Sequence, residues 1–154
     1  MAILTGSCRF GLWHVHVTWQ DDLVYRVRFA RVGVPGPVPD EILRYCAGRP
    51  ADLSSFRSVA TEGESTFAAI YRAVREIPCG ETATYGEIAR RVGTAPRAVG
   101  SAMARNPTPI VVPCHRVVAK TGMGGFSPDP AIKEALLAME QRVCKGPRAG
   151  NERS

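Results

Sequence analysis

Two short helical patterns separated by one glycine constrain this chain more than any other feature. Thr84-Tyr85-Gly86-Glu87 leads into a helix over Ile88–Val92, Gly93 breaks it, and Pro96 opens a further helix through Ala104. Just upstream, Thr66–Glu76 sets Phe67, Ile70, Tyr71 and Val74 on one helical face before Pro78 and Gly80 stop it. The pattern predicts a helix-turn-helix, whose second helix can lie in a DNA groove. Pro96 at the first helical position puts Arg97 at the positive, phosphate-attracting end. Ala98, Gly100, Ser101 and Ala102 are small, so this face permits close approach of either a packed helix or a nucleic-acid backbone.

Downstream, Pro113-Cys114-His115-Arg116 follows the apolar run Ile110-Val111-Val112. A thiol is a good nucleophile as its thiolate, and a neighbouring base makes that form accessible. Pro113 restricts the residue before it to extended conformations, so the chain reaches Cys114 on a fixed course. A buried cysteine is also an ordinary small apolar residue. In an extended segment Cys114 and His115 point to opposite faces, so contact between them requires a water relay or a sharp turn.

The remaining chain frames these motifs. Leu12–Thr18 and Leu23–Phe29 alternate apolar and polar residues across Gln20-Asp21-Asp22, the signature of a β-hairpin. Residues 32–39 are a proline and glycine loop, Asp40 caps a short helix through Tyr45, and Pro130–Val143 forms a final helix with Ile132, Leu136, Leu137 and Met139 inward. Gly122 to Ser127 is a glycine-rich loop that can close over a pocket but lacks the phosphate-cradle pattern.

The chain has 154 residues and 45% apolar content, enough for one good core or two small ones sharing an interface. No apolar run suits a membrane span and no leader pattern opens the chain, so a cytoplasmic location is expected. The five cysteines are widely spaced with no Cys-x-x-Cys pair, so reduced thiols are expected. Cys8, His14 and His16 are conceivable metal ligands without a visible fourth partner. Residues 1–65 hold seven Arg and seven Asp or Glu; residues 66–154 hold thirteen Lys or Arg against seven acids, so the net charge of +6 sits in the second half. A basic half suits a polyanionic partner.

TYGEIA, RAVGSAM, NPTPIVVPCHRVV, GGFS and KEALLAME occur in that order. Together they resemble the O6-alkylguanine-DNA alkyltransferase family over roughly residues 66 to 140, while residues 1 to 60 match only loosely. The resemblance implies transfer of an alkyl group from O6 of guanine, with O4 of thymine as a further candidate, to Cys114, which consumes the protein. It implies that His115 is the base acting through a water, Glu140 its orienter, Asn106 the residue that fixes the cysteine loop, and Tyr85 the proton donor toward the guanine ring. Arg97 becomes the finger that replaces a flipped-out nucleotide, on a DNA-binding face with Ala98, Gly100, Ser101 and Tyr85. The carbonyl of Val117 and the backbone N–H of Ser127 would read the base between Met103 and Phe126. Phe126 stands where relatives often have tyrosine, Pro128 where they have glycine, and Ala135 where some have tryptophan.

The expected architecture is α/β: an amino-terminal α/β domain over residues 1–62, packed on an all-helical, winged-helix-like DNA-binding domain over 63–144, with a tail over 145–154. No cofactor or metal is expected, and the expected partner is double-stranded DNA containing O6-alkylguanine, bound by a monomer. Two rivals are a damage sensor that binds the lesion without accepting the group, which would not need Cys114, and a cysteine hydrolase, for which no oxyanion-hole motif is visible.

Overall fold

A computed structural model describes residues 2–145 of the chain. Its first half is a sheet of three consecutive antiparallel strands, β1 (Leu4–Phe10), β2 (Trp13–Gln20) and β3 (Leu23–Ala30), with β4 (Arg57–Ser58) added parallel to β3. The expected hairpin is β2–β3, closed by a turn in which Asp21 takes a positive φ of 54°, a conformation that aspartate tolerates better than most residues. Strand β1 has no clear sequence signature because Thr5, Gly6 and Ser7 dilute its alternation. Val15, Val17, Val27 and Phe29 point to the inner face, against which α1 (Asp40–Cys46) packs. Asp40 is the first residue of that helix and does not cap it with its side chain; Pro39 occupies the cap position.

The second half carries α2 (Thr66–Arg75), α3 (Tyr85–Val92), α4 (Pro96–Ala104) and α5 (Pro130–Glu140). A reciprocal capping box fixes the start of α3: the Thr84 backbone N–H donates to Glu87 Oε1 at 2.7 Å and the Glu87 N–H to Thr84 Oγ1 at 3.1 Å. Gly93 ends α3 in the left-handed conformation, φ 87°, which a side chain would resist. The expected helix-turn-helix is therefore α3 and α4. This half is not all helical, because β5 (Ala83–Thr84) and β6 (Val117–Val118) pair in parallel. Strands of two residues carry no alternation for a sequence to display.

Two apolar clusters result. One joins the inner sheet face and α1 to Ile132, Leu136 and Met139 of α5; the other joins α2, α3 and α4. The segment before Cys114 is shared between them, since Ile110 and Val111 enter the first cluster and Val112 the second. Ile110 is buried with φ 79°, unfavourable for a β-branched residue and held in place by packing on its side chain. The approach to Cys114 is thus pinned from both sides.

The expectation of reduced thiols is corrected at one pair: Cys79 and Cys144 form a disulfide with a Cα–Cα distance of 6.0 Å, while Cys8, Cys46 and Cys114 are free. The two partners are 65 residues apart and meet only because the turn after α5 docks on the Pro78–Gly80 turn, where Gln141 Nε2 donates to the Gly80 carbonyl at 2.7 Å. Spacing alone could not reveal them. Of the expected tail, Lys145 ends the last helical turn and residues 146–154 lie outside the described residues. Among the described residues no helix is long and apolar enough to cross a membrane.

Candidate active site

Asn106 organises the loop that delivers Cys114. Its amide donates to the Val112 carbonyl at 2.9 Å and accepts from the Thr108 backbone N–H at 3.0 Å. It also hydrogen-bonds the Cys114 side chain. Thr108 is fully buried and shares a 2.7 Å hydroxyl hydrogen bond with Ser58 at the end of β4. At the end of this loop, Cys114–Arg116 forms a single tight 3-10 turn, not an extended strand, with the Cys114 N–H donating to Val112 O at 2.7 Å and the Arg116 N–H to Pro113 O at 2.9 Å. The alternating geometry that would separate thiol from imidazole therefore does not apply.

His115 and Glu140 are both buried. His115 Nε2 lies 2.7 Å from Glu140 Oε2. A carboxylate can only accept, so Nε2 carries the proton and Nδ1 keeps its lone pair. Nδ1 is buried and has no hydrogen-bond partner among the described residues. Arg116 binds the same carboxylate with two prongs, Nε to Oε1 at 2.8 Å and Nη2 to Oε2 at 2.9 Å, and its Nη1 donates to the Ile77 carbonyl at 2.6 Å. The Tyr45 hydroxyl, from α1, donates to Glu140 Oε2 and lies 3.3 Å from His115 Nε2.

Charge balance follows. Burial acts to raise the Glu140 carboxyl, but hydrogen bonds from His115 and Arg116 outweigh it and hold the group well below the usual carboxylate range. Arg116 neutralises that carboxylate, so the imidazole need not; burial keeps the His115 pKa below its ordinary value despite Glu140. Burial pushes the Cys114 thiol up to about 11, against the opposing pull of Asn106 and Lys133. The resting pair is a neutral thiol beside a neutral imidazole.

Cys114 lies on the wall of an open cleft of about 880 Å³ between α4, β3 and the glycine-rich loop. Among the expected residues, Tyr85, Gly100, Met103, Asn106, Phe126 and Ser127 line the same cleft. The Tyr85 hydroxyl has no hydrogen-bond partner among the described residues, so it can donate to a ligand. Gly100 faces open space: a Cβ there would meet nothing within 4 Å. Phe126 stacks edge-on to Phe29, ring centroids 5.9 Å apart. Arg97 is exposed at the start of α4, with Ala98 and Ser101 half-buried behind it. Val117 is buried outside the cleft lining, and its carbonyl accepts from Lys133 Nζ at 2.7 Å. His115 and Glu140 stand behind the thiol, with Glu140 and Arg116 in the wall of a second cavity of about 340 Å³.

Three residues central to this geometry are absent from the set that the sequence points to. Arg116 is visible beside the Cys-His pair, but nothing local assigns it a role. Lys133, within KEALLAME, is buried with its ammonium between the carbonyls of Val117 and Gly125, at 2.7 and 3.4 Å, and 5.9 Å from the Tyr85 ring centroid. Gly124 takes φ 82°, and a Cβ on it would come within 2.8 Å of Tyr85 Oη and 3.2 Å of Lys133 Nζ, so a side chain here would strain the backbone and displace one of these groups. Tyr45 has no local signal at all, because its partners are 70 and 95 residues away. Cys8 and the two strand histidines point to opposite faces of the sheet: Cys8 hydrogen-bonds Cys46 inside, and His16 Nε2 contacts the Val32 carbonyl outside at 2.6 Å.

Comparison with known proteins gives a consistent outcome. Residues 65–142 match the family described as 6-O-methylguanine DNA methyltransferase, DNA binding domain. The methylated-DNA–protein-cysteine methyltransferase of Metallosphaera sedula is 47% identical over 78 residues, 51% of this chain and 50% of the relative. That of Thermococcus kodakarensis is 40% identical over 108 residues, 69% and 62% of the two chains. The chain spans about half the length of the curated relatives it matches. The crystal structure of the Mycobacterium tuberculosis O6-methylguanine methyltransferase superposes with a TM-score of 0.73 at 27% identity, covering 91% of this chain and 93% of that one. The same protein solved in complex with DNA gives 0.73 at 29%, covering 89% and 92%.

Proposed function

Because the chain belongs to the 6-O-methylguanine DNA methyltransferase family, we propose that it repairs DNA directly, moving an alkyl group from O6 of guanine in a duplex to Cys114. The observation that carries this reading is the single thiol on the cleft wall, backed by a buried imidazole whose free nitrogen has no partner among the described residues. A cleft of about 880 Å³ suits a nucleobase with its substituent.

The chemistry follows from the groups in place. Through a water, His115 Nδ1 takes the Cys114 proton, and Glu140 and Tyr45 support the imidazolium that forms. Sulfur attacks the alkyl carbon, the carbon–O6 bond breaks, and a thioether forms. Guanine would leave with a negative charge, which a proton from the Tyr85 hydroxyl relieves. The resulting phenolate lies near Lys133. A thioether has no hydrolysable bond, so each chain acts once.

The base must leave the stack to reach the sulfur. Arg97, exposed at the start of α4, fills the space it vacates, while Ala98, Gly100 and Ser101 let the helix lie close against the backbone. Met103 and Phe126 flank the base, and the Ser127 N–H reads its edge. O4-alkylthymine is a secondary substrate. The chain acts as a monomer, with residues 1–62 and 63–144 as its two units, in the compartment that holds the cell's DNA: the cytoplasm, or the nucleus of a eukaryote.

Mixing the protein with a duplex carrying O6-methylguanine should add one methylene mass per chain, mapped to the Cys114 peptide. Tight binding with no mass gain would instead make this a damage sensor, and repeated turnover on a small ester would make it a hydrolase.

A further inference from the structure

The first half of the chain is neutral in composition, but the fold separates its charges. Of its acids, Asp22 pairs with Arg57 at 3.0 Å beside the β2–β3 turn, Asp40 and Glu41 open α1, and Asp52 holds Ser54. Among the described residues, the outer face of the sheet carries no acid. By strand register, that face presents Thr5, Thr18 and Arg26 in one row, and Ser7, His16 and Arg28 in the next.

The loop after β3 crosses part of this face: Val32 O contacts His16 Nε2 at 2.6 Å, and the Val34 backbone meets Ser7 Oγ at 2.9 Å. What stays open is a groove of about 300 Å³ walled by Thr5, Thr18, His16, Arg26 and Arg28 and rimmed by Val34 and Pro35. Both arginines are exposed, and among the described residues neither guanidinium makes an ion pair or hydrogen bond. Residues two apart on a strand share a face at about 7 Å spacing, so two cations and two hydroxyls converge on the same groove.

Continuity identifies the occupant. The second half of β3 runs beside the loop that leads to the nucleophile, with the Val27 N–H donating to the Pro107 carbonyl at 2.9 Å. Arg26 and Arg28 consequently border the Cys114 cleft as well as the groove, with Arg105 at the end of α4 on the same rim. A nucleic acid that delivers a base into the cleft carries its phosphates past these three guanidinium groups.

We propose that the outer face of β2 and β3 is a phosphate-binding ledge, and that it holds the sugar-phosphate backbone of the duplex whose damaged base enters the cleft. This rests on the repair reading for the identity of the duplex. The amino-terminal unit then contributes to DNA affinity alongside the helix-turn-helix.

The test is a salt titration of binding to an undamaged duplex, followed by fluorescence anisotropy. Removing a cation that neutralises one phosphate should reduce the slope of log affinity against log salt by about 1, so Arg26→Gln with Arg28→Gln should reduce it by about 2. The double lysine variant should keep the wild-type slope, and both variants should melt as the wild type does. An unchanged slope in the glutamine variant overturns the ledge. So does an unchanged duplex slope accompanied by loss of poly-glutamate binding, which would assign the face to an acidic protein. A wild-type chain that binds duplex with the arginine-dependent slope yet accepts no methyl group would remove the repair reading and leave the ledge standing.

Discussion

Tyr45 and Glu140, 95 residues apart in sequence, share a buried hydrogen bond that joins the first helix of the chain to the last. Through it the amino-terminal sheet and helix become part of the His115–Glu140–Arg116 assembly rather than a separate attachment. Removing the hydroxyl in Tyr45→Phe should cost about 2 kcal/mol, the scale of a hydrogen bond to a charged group. Alkyl transfer should slow because His115 loses support. Chemical denaturation and single-turnover rates measure the two effects; an unchanged rate would confine Tyr45 to stability.

Glu140→Gln leaves Arg116, whose side chain is only 11% exposed, without its counter-charge, which should cost about 3 kcal/mol. The folded carboxyl lies well below its ordinary range, so its contribution is complete above the unfolded value, about 4.3, and is lost as pH falls through the acid range. The wild-type and variant melting curves should accordingly converge below about pH 4. A gap that stays constant from pH 7 to pH 3 would contradict the assigned charge state.

Burial disfavours the Cys114 thiolate and sets its pKa at about 11. Alkylation of Cys114 by iodoacetamide, without DNA, should therefore rise about tenfold per pH unit from pH 7 to 10. Peptide mapping separates Cys114 from buried Cys8 and Cys46. A rate already flat at pH 7 would mean that the resting thiol is ionised, and proton transfer to His115 would not be needed.

Lys133 favours the Cys114 thiolate by its charge and holds the Val117 and Gly125 carbonyls together. Lys133→Met should raise the thiol pKa further, shifting the iodoacetamide profile to higher pH, and should cost about 2 kcal/mol by leaving the Val117 carbonyl unpaired. Arginine at this position should restore part of the charge effect. An unmoved profile in the methionine variant would limit Lys133 to holding the loop.

The Cys79–Cys144 disulfide closes a loop of 65 residues. The chain-entropy relation gives it an upper value of about 4 kcal/mol. Reductant, or serine at both positions, should lower the melting temperature while Cys114 still accepts one alkyl group. Loss of transfer in the folded serine variant would show that this tie also sets the position of Glu140, four residues before Cys144.

Much of the carboxy-terminal half is legible in the sequence because its signals are local. The capping box at Thr84 and Glu87, the break at Gly93 and the proline that opens α4 each act within a few residues, and α4 runs from Pro96 to Ala104 as its pattern predicts. Strand β1 is obscured by small polar residues, and β5 and β6 are too short to show a period.

By itself, the sequence determined the helix-turn-helix, the β2–β3 hairpin, and a cysteine beside a histidine at the end of a stiff apolar segment, since backbone preference and side-chain periodicity are written into neighbouring residues. Only the tertiary structure decided that Tyr45 joins Glu140, that Arg116 supplies the charge leaving His115 neutral, that Lys133 is buried, that Cys79 meets Cys144, and that the arginines of β3 border the cleft. Those relationships depend on which distant surfaces are pressed together and which charges lose their water, and neither quantity exists until the core has closed.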